Sequence, residues 1–114
     1  MKINICKDFS DTPGARYRTE GDFSGEEFRE RFLIPSFEEL KNTDEKIEIN
    51  FDGGYGYPTS FLEEAFGGLA RKFGSNVVLK KLRFISNDEP ELIKEVETYI
   101  KTANSKGART KDEK

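Results

Sequence analysis

Histidine is absent from all 114 residues, and with it go the commonest catalytic base and the commonest transition-metal ligand. Histidine-dependent triads and most zinc centres are thereby excluded, and no metal or other cofactor is expected. Cysteine is almost absent too. Cys6 is the single thiol, so no intramolecular disulfide can form, and its place in an apolar-alternating stretch reads as that of a buried structural thiol. No run of about 18 apolar residues is present to cross a bilayer, and the opening MKINICKDF lacks the apolar core of a secretory leader. The expectation is a cytoplasmic chain that meets no membrane. Positive charge is not in excess either: 19 Lys and Arg against 22 Asp and Glu leave a net charge of −3. With no basic stripe among aromatics, nucleic acid is not an expected partner.

What the chain does have is ten Phe and four Tyr, bulky core material that a disordered sequence lacks. The length suits one domain with one core. Residues 1–102 are expected to hold that domain, and residues 103–114, with nothing larger than alanine among their apolar side chains, read as a disordered polar tail.

Alternation of Ile3 and Ile5 with polar residues predicts a strand over Lys2 to Phe9, and Ala15 to Glu20 predicts a second, paired with it as a hairpin through Asp11-Thr-Pro-Gly14. Ser24-Gly-Glu-Glu27 is a capping box opening a helix, with Phe23 and Phe28 as its staple. Phe28, Phe32, Leu33, Phe37 and Leu40 keep helical spacing, and Pro35 should kink or split the run. Ile47, Ile49 and Phe51 alternate as a strand. A helix then carries Leu62, Ala65, Phe66, Leu69, Ala70 and Phe73 on one stripe and stops at Gly74. Asn76 to Ile85 reads as a longer strand with a bulge near Lys80-Lys81. Asp88 is the expected N-cap of a last helix with Leu92, Ile93, Val96, Tyr99 and Ile100 as its buried face. The sum is a small α/β sandwich: a mixed sheet of about four strands with three amphipathic helices on one face, the polar strand face left open.

The junction from Lys46 to Gly74, where a strand enters a glycine-rich loop and then a helix, concentrates the candidate functional residues. Such a turn aims backbone N–H groups and short hydroxyls at one point, where the helix dipole favours negative charge. Asp52, Gly53, Gly54, Tyr55, Gly56 and Tyr57 form the candidate partner or ligand loop. Its glycines could cradle a phosphate or could merely supply positive φ; neither a phosphate-binding nor a dinucleotide fingerprint is met. Ser60 begins a second capping box with Glu63, so it either caps the helix or accepts a phosphoryl group, and Thr59 stands one residue earlier in the loop. Gly67 and Gly68 lie inside the helix, at about 1 kcal/mol each relative to alanine. Off the core stripe, they invite close approach by a neighbouring helix or a partner chain, which makes Phe61, Glu64, Gly67 and Gly68 a candidate partner-facing surface. The adjacent pair Glu63-Glu64 reads as a solvated face rather than an acid and base, because neighbouring helical residues diverge by about 100°.

The segment Ile47 to Gly74, with Thr12-Pro-Gly14 and Gly21-Asp-Phe-Ser-Gly-Glu-Glu-Phe28 upstream, resembles the STAS-like domain family of unknown function, distant kin of bacterial anti-sigma-factor antagonists. The resemblance runs to about Ile100 and implies a STAS-like fold. Those antagonists open a helix with an aspartate-serine-serine-glycine-leucine motif whose first serine a partner kinase phosphorylates. Aligned without a gap, Asn50 takes the place of the usual strand aspartate, and Pro58, Thr59, Ser60, Phe61 and Leu62 take the motif, so Thr59 matches the phosphoacceptor. The motif aspartate and glycine are here Pro58 and Phe61. The resemblance implies a non-enzymatic regulatory module, a partner-switching regulator acting with a kinase-like ATPase or a regulator of transcription. The reading from another class is a small-ligand or nucleotide sensor built on the glycine loop and helix start.

Overall fold

A computed structural model describes residues 1–103. Its elements run β1 (Lys2–Asn4), α1 (Ile5–Asp8), α2 (residues 25–40), β2 (Ile47–Asn50), α3 (residues 59–73), α4 (Ser75–Lys81), β3 (Leu82–Ile85) and α5 (Glu91–Lys101). The sheet has three strands rather than four, in order β1-β2-β3, and all are parallel. One face, with Ile3, Ile47, Ile49 and Leu82 buried, packs under the helices. The other carries Lys2, Glu48 and Arg83 in register across the three strands, charges alternating in sign on the open side.

One expected strand is cut short and another does not form, and each has a local cause. The first ends at Asn4, whose side chain accepts the Lys7 N–H at 2.9 Å while Asp8 takes the Asn4 N–H at 2.8 Å; this reciprocal cap starts a helical turn. Cys6 therefore sits on α1, half-buried, donating its thiol to the Gly53 carbonyl at 3.2 Å. The hairpin over residues 15–20 does not form. That segment passes over the start of α2 and closes in a 3₁₀ turn, Arg18–Glu20. Ala15 and Arg16 carbonyls accept the Gly25 and Glu26 N–H groups at 2.9 and 3.1 Å, and Ser24 Oγ takes that of Glu27 at 3.0 Å. The unpaired donors of the helix start are thus met by a strap from elsewhere in the chain.

The predicted staple is relayed rather than direct: the Phe9 ring lies 5.4 Å from Phe23 and 5.2 Å from Phe28, centre to centre. Pro35 neither splits nor ends α2. A π-turn, Arg29–Leu33, precedes it, shifting the hydrogen-bond ladder just where proline withholds an N–H.

The expected strand over residues 76–85 is half helix. Gly74, at φ +102°, ends α3 and starts α4 at once, and the chain becomes a strand only at Leu82. The change of face between Leu79 and Leu82 is the helix-to-strand boundary, not a bulge. Asp88 does not cap α5, which starts at Glu91 behind Pro90 with no side-chain cap. Its buried face is Leu92, Val96 and Ile100, with Ile93 and Tyr99 half-buried. Ala103, the first residue of the expected tail, is fully buried, and the rest of that tail, residues 104–114, lies outside the described residues.

Candidate functional site

Where β2 ends, the chain enters the predicted loop, and hydrogen bonds tie it at Asp52, Gly53, Tyr55 and Tyr57. Asp52 Oδ1 accepts the Asn87 and Asp88 backbone N–H groups at 2.8 and 2.9 Å, and its Oδ2 takes the Asn87 side-chain amide at 3.0 Å. In return Asp88 accepts the Gly53 N–H at 3.1 Å. The loops after β2 and β3 are latched through these two carboxylates. Gly53 holds φ +99° and Gly56 φ +133°, so both positions need glycine. The Tyr57 hydroxyl donates to the Phe51 carbonyl at 2.7 Å; burial, with Cys6, Asp52 and Asp88 nearby, raises its pKa well above the usual tyrosine range. The Tyr55 N–H is held by the Asp11 carbonyl at 3.1 Å, but the Tyr55 ring is 84% exposed. Beside it lies a cleft of about 180 Å³ lined by Phe51, Gly54, Tyr57, Asp88 and Leu92 among others.

The hydroxyls differ from expectation. Helix α3 begins at Thr59 with Pro58 ahead of it and no side-chain cap. Ser60 is inside the first turn, half-buried, and its predicted box partner Glu63 is engaged elsewhere. Thr59 is exposed and reaches the Tyr99 hydroxyl. Burial and the hydrogen bond from Tyr99 to Glu95, 2.6 Å, raise the Tyr99 pKa, while the Thr59 contact works the other way.

The surface expected to face a partner is largely internal. Of its four residues, Phe61, Glu64 and Gly67 are buried and Gly68 is half-buried; Glu63 is buried too, and the predicted solvated pair Glu63-Glu64 sits in a cage of three arginines. Arg16, from the strap, binds Glu63 and lies 3.4 Å from Glu64. Arg29, from α2, reaches Glu64 Oε2 at 2.7 Å and the Glu64 carbonyl at 2.6 Å, and Arg71, two turns further along α3, reaches Glu63 at 2.8 Å. Burial pulls the Arg16 pKa down, but its bond to Glu63 and the attraction of both carboxylates outweigh this and leave it raised. Both glutamates belong to a π-turn, Glu63–Gly67, which re-phases the helix and brings adjacent side chains to one cage.

The glycines now have an account. A Cβ on Gly68 would stand 2.3 Å from Arg29 Nη1, one on Gly67 would stand 2.7 Å from Glu63 Oε2, and one on Gly25 would stand 2.5 Å from the Phe61 carbonyl. They make room for the cage and for the close crossing of α2 on α3. The approaching neighbour is this chain's own helix and its arginine. Sequence reading missed the cage because its members come from residues 16, 29, 63, 64 and 71; the two interior glycines beside two glutamates were the signal that could have found it.

Among the described residues no cluster of Cys, Asp and Glu could hold a metal, and no helix is long and apolar enough to cross a membrane. A parallel three-stranded sheet covered on one face by helices, with a latched loop leading into a glycine-containing helix, defines an α/β domain. The chain belongs to the family described as STAS-like domain of unknown function (DUF4325), whose model matches residues 24–92. The match opens at the Ser24 cap and closes in α5, so it takes in Arg29, both glutamates, Arg71 and the whole loop, but not Thr12-Pro-Gly14 or Arg16. No curated protein and no solved structure matches the chain.

Proposed function

We infer that the chain is a non-enzymatic regulatory module that binds a partner protein through the loop at residues 52–57 and the exposed start of α3. Tyr55 carries this reading. Its ring stands 84% exposed on a loop whose backbone is fixed by Asp11, Asp52 and Asp88. An aromatic in water adds nothing to the core, and one on a rigid support needs little ordering when it docks, which is how interface anchors behave. The acidic rim of the adjoining cleft, Asp88 and Glu89, suits a partner with apolar and basic groups. Family resemblance suggests a kinase-like ATPase or a regulator of transcription as that partner, and Thr59 is the exposed hydroxyl placed to accept a phosphoryl group.

The sensor reading has less support. N–H groups of Asp52, Gly53 and Tyr55 already donate to Asn50, Asp88 and Asp11, and carboxylates line the cleft, so a phosphate would meet spent donors and negative charge. A photo-crosslinking residue at position 55, expressed in the source cell, tests the proposal. A discrete protein adduct at 55, absent when the same residue replaces exposed Lys94 on α5, is expected. A folded variant giving no protein adduct at 55 would overturn it.

A further inference from the structure

The opposite end of the sheet carries a second cavity, unlike the loop in both charge and lining. It measures about 300 Å³ and lies where α2 leads into β2 and α4 leads into β3. Phe37 and Val77 form its apolar wall. Phe37 is stacked on Phe73 at 4.2 Å, centre to centre, and Val77, 51% exposed, turns apolar surface to the cavity. Around this wall stand Lys41, Lys46, Lys80 and Lys81, with Asp44 the one carboxylate of the lining. That is a surplus of three positive charges in a chain whose net charge is −3.

These lysines are mostly uncompensated. Lys81 is buried, and its ammonium donates to the Thr43 carbonyl at 2.8 Å; Lys46 donates to the Lys80 carbonyl at 3.0 Å. Among the described residues neither they nor Lys80 make a salt bridge. Lys41 meets Glu38 at 3.4 Å, both well exposed, and Glu45, the other carboxylate near Lys81, is tied to the N-terminal amine. Lysines at helix C-termini do offset the dipole, and α2 and α4 both end here. Two helix ends supply roughly one negative charge between them, which leaves the surplus positive.

We propose that this cavity is a binding site for a small organic phosphate, its apolar or aromatic body on Phe37 and Val77 and its phosphate among Lys41, Lys46, Lys80 and Lys81. Four ammonium groups act as point charges and suit a compact, multiply charged anion, whereas a single carboxylate would be better matched by an arginine fork. The volume, at the lower end for small-molecule pockets, fits a small ligand rather than a peptide.

Calorimetric titration of the full chain with 1-naphthyl phosphate, inorganic phosphate and 1-naphthol tests both halves of the site. Naphthyl phosphate should bind at least about tenfold more tightly than either fragment, and more weakly as salt rises. The double variant Lys46→Ala, Lys80→Ala, both exposed positions, should lose about tenfold with an unchanged melting temperature. Amide shifts of the wild-type protein on adding naphthyl phosphate give a readout independent of any variant, and should centre on Val77, Lys80 and Thr43. No binding of naphthyl phosphate, shifts centred on the loop at residues 52–57, or tighter binding of an acidic peptide than of naphthyl phosphate would each overturn the assignment.

Discussion

Two places in this molecule gather several donors on carboxylates, and they do so under opposite conditions. Asp52 collects three neutral N–H groups at the rim of the sheet, half in water. Glu63 and Glu64 collect guanidinium groups inside the protein, their side chains 5% and 10% exposed. A neutral hydrogen bond nets about 1 kcal/mol, whereas removing one member of a buried ion pair costs about 3–5 kcal/mol because the other charge is stranded. The latch can therefore loosen without unfolding the domain, and the cage cannot. A pinned but separable loop is what a recognition element needs; a cage that tolerates no loss is what fixes α2, α3 and the strap in one arrangement.

The largest effect should come from breaking the cage. Glu64→Ala leaves Arg29, its side chain only 15% exposed, without its carboxylate and is expected to destabilise by about 3–5 kcal/mol in urea unfolding. Replacing the pair together, Glu64→Leu with Arg29→Met, should recover most of that loss, because two apolar groups of similar size leave no stranded charge. If the double variant is no better than the single one, the cage is not the source of the penalty.

Gly68→Ala comes next and can change sign. Helix propensity favours alanine by up to about 1 kcal/mol, but the new methyl would stand 2.3 Å from Arg29 Nη1 and push it off Glu64, for a net loss of about 1–3 kcal/mol. With Arg29 already truncated to Ala, the same change should stabilise. Thermal melts of the four combinations give the cycle.

That glycine also shows how far sequence could reach. The strand Ile47–Asn50, the stop at Gly74 and the buried face of α5 were legible because each rests on local periodicity or a single backbone requirement. Residues 15–20 were not: their alternation is that of a strand, but their carbonyls serve the start of α2, a bond no window of sequence contains. Residues 76–81 misled through Val77 and Val78, whose β-branched side chains favour strands until packing overrides them. Two glutamates side by side look solvated on a regular helix, and only a π-turn fed by three distant arginines makes them a buried unit. The loop lies where the sequence put it, between β2 and α3, yet its Asp52 is engaged by Asn87 and Asp88 and its Gly53 by Asp88, ties to a distant loop that no local pattern announces; the ring of Tyr55 stays exposed.

On the latch side the effects shrink. Asp52→Ala removes three hydrogen bonds at a half-exposed position and should cost about 2 kcal/mol, with hydrogen exchange rising at Asn87 and Asp88 while the amides of α3 stay protected. Equal loss of protection in α3 would mean that latch and cage unfold together. Tyr57→Phe removes the bond to the Phe51 carbonyl and should cost about 1 kcal/mol. Tyr57 also gives the comparison a pH axis. Its folded pKa lies above its unfolded value of about 10, so its contribution is complete below that value and is lost as pH rises through the folded pKa. Wild type should therefore lose stability on the alkaline side more steeply than Tyr57→Phe, and parallel curves would show that the hydroxyl is not held as described.

The smallest expected effect is the most discriminating for the helix start. A serine that caps a helix is worth about 0.5–2 kcal/mol against alanine, and sequence spacing with Glu63 assigns Ser60 that role. In the structure α3 already begins at Thr59, Pro58 precedes it with no side-chain cap, and Glu63 is taken by Arg16 and Arg71. Ser60→Ala should then change stability by less than about 0.5 kcal/mol, the range of an ordinary substitution away from caps and the core. Thr59→Glu should stabilise by about 0.3–1 kcal/mol, since it sets negative charge on the positive end of the α3 dipole at an exposed position. Denaturant titration of both variants beside wild type decides the matter. A loss above 1 kcal/mol for Ser60→Ala would restore the cap to Ser60, and would make any phosphorylation there an unfolding event at the helix start. A neutral result leaves Thr59 as the position where charge can be added while the helix keeps its first turn.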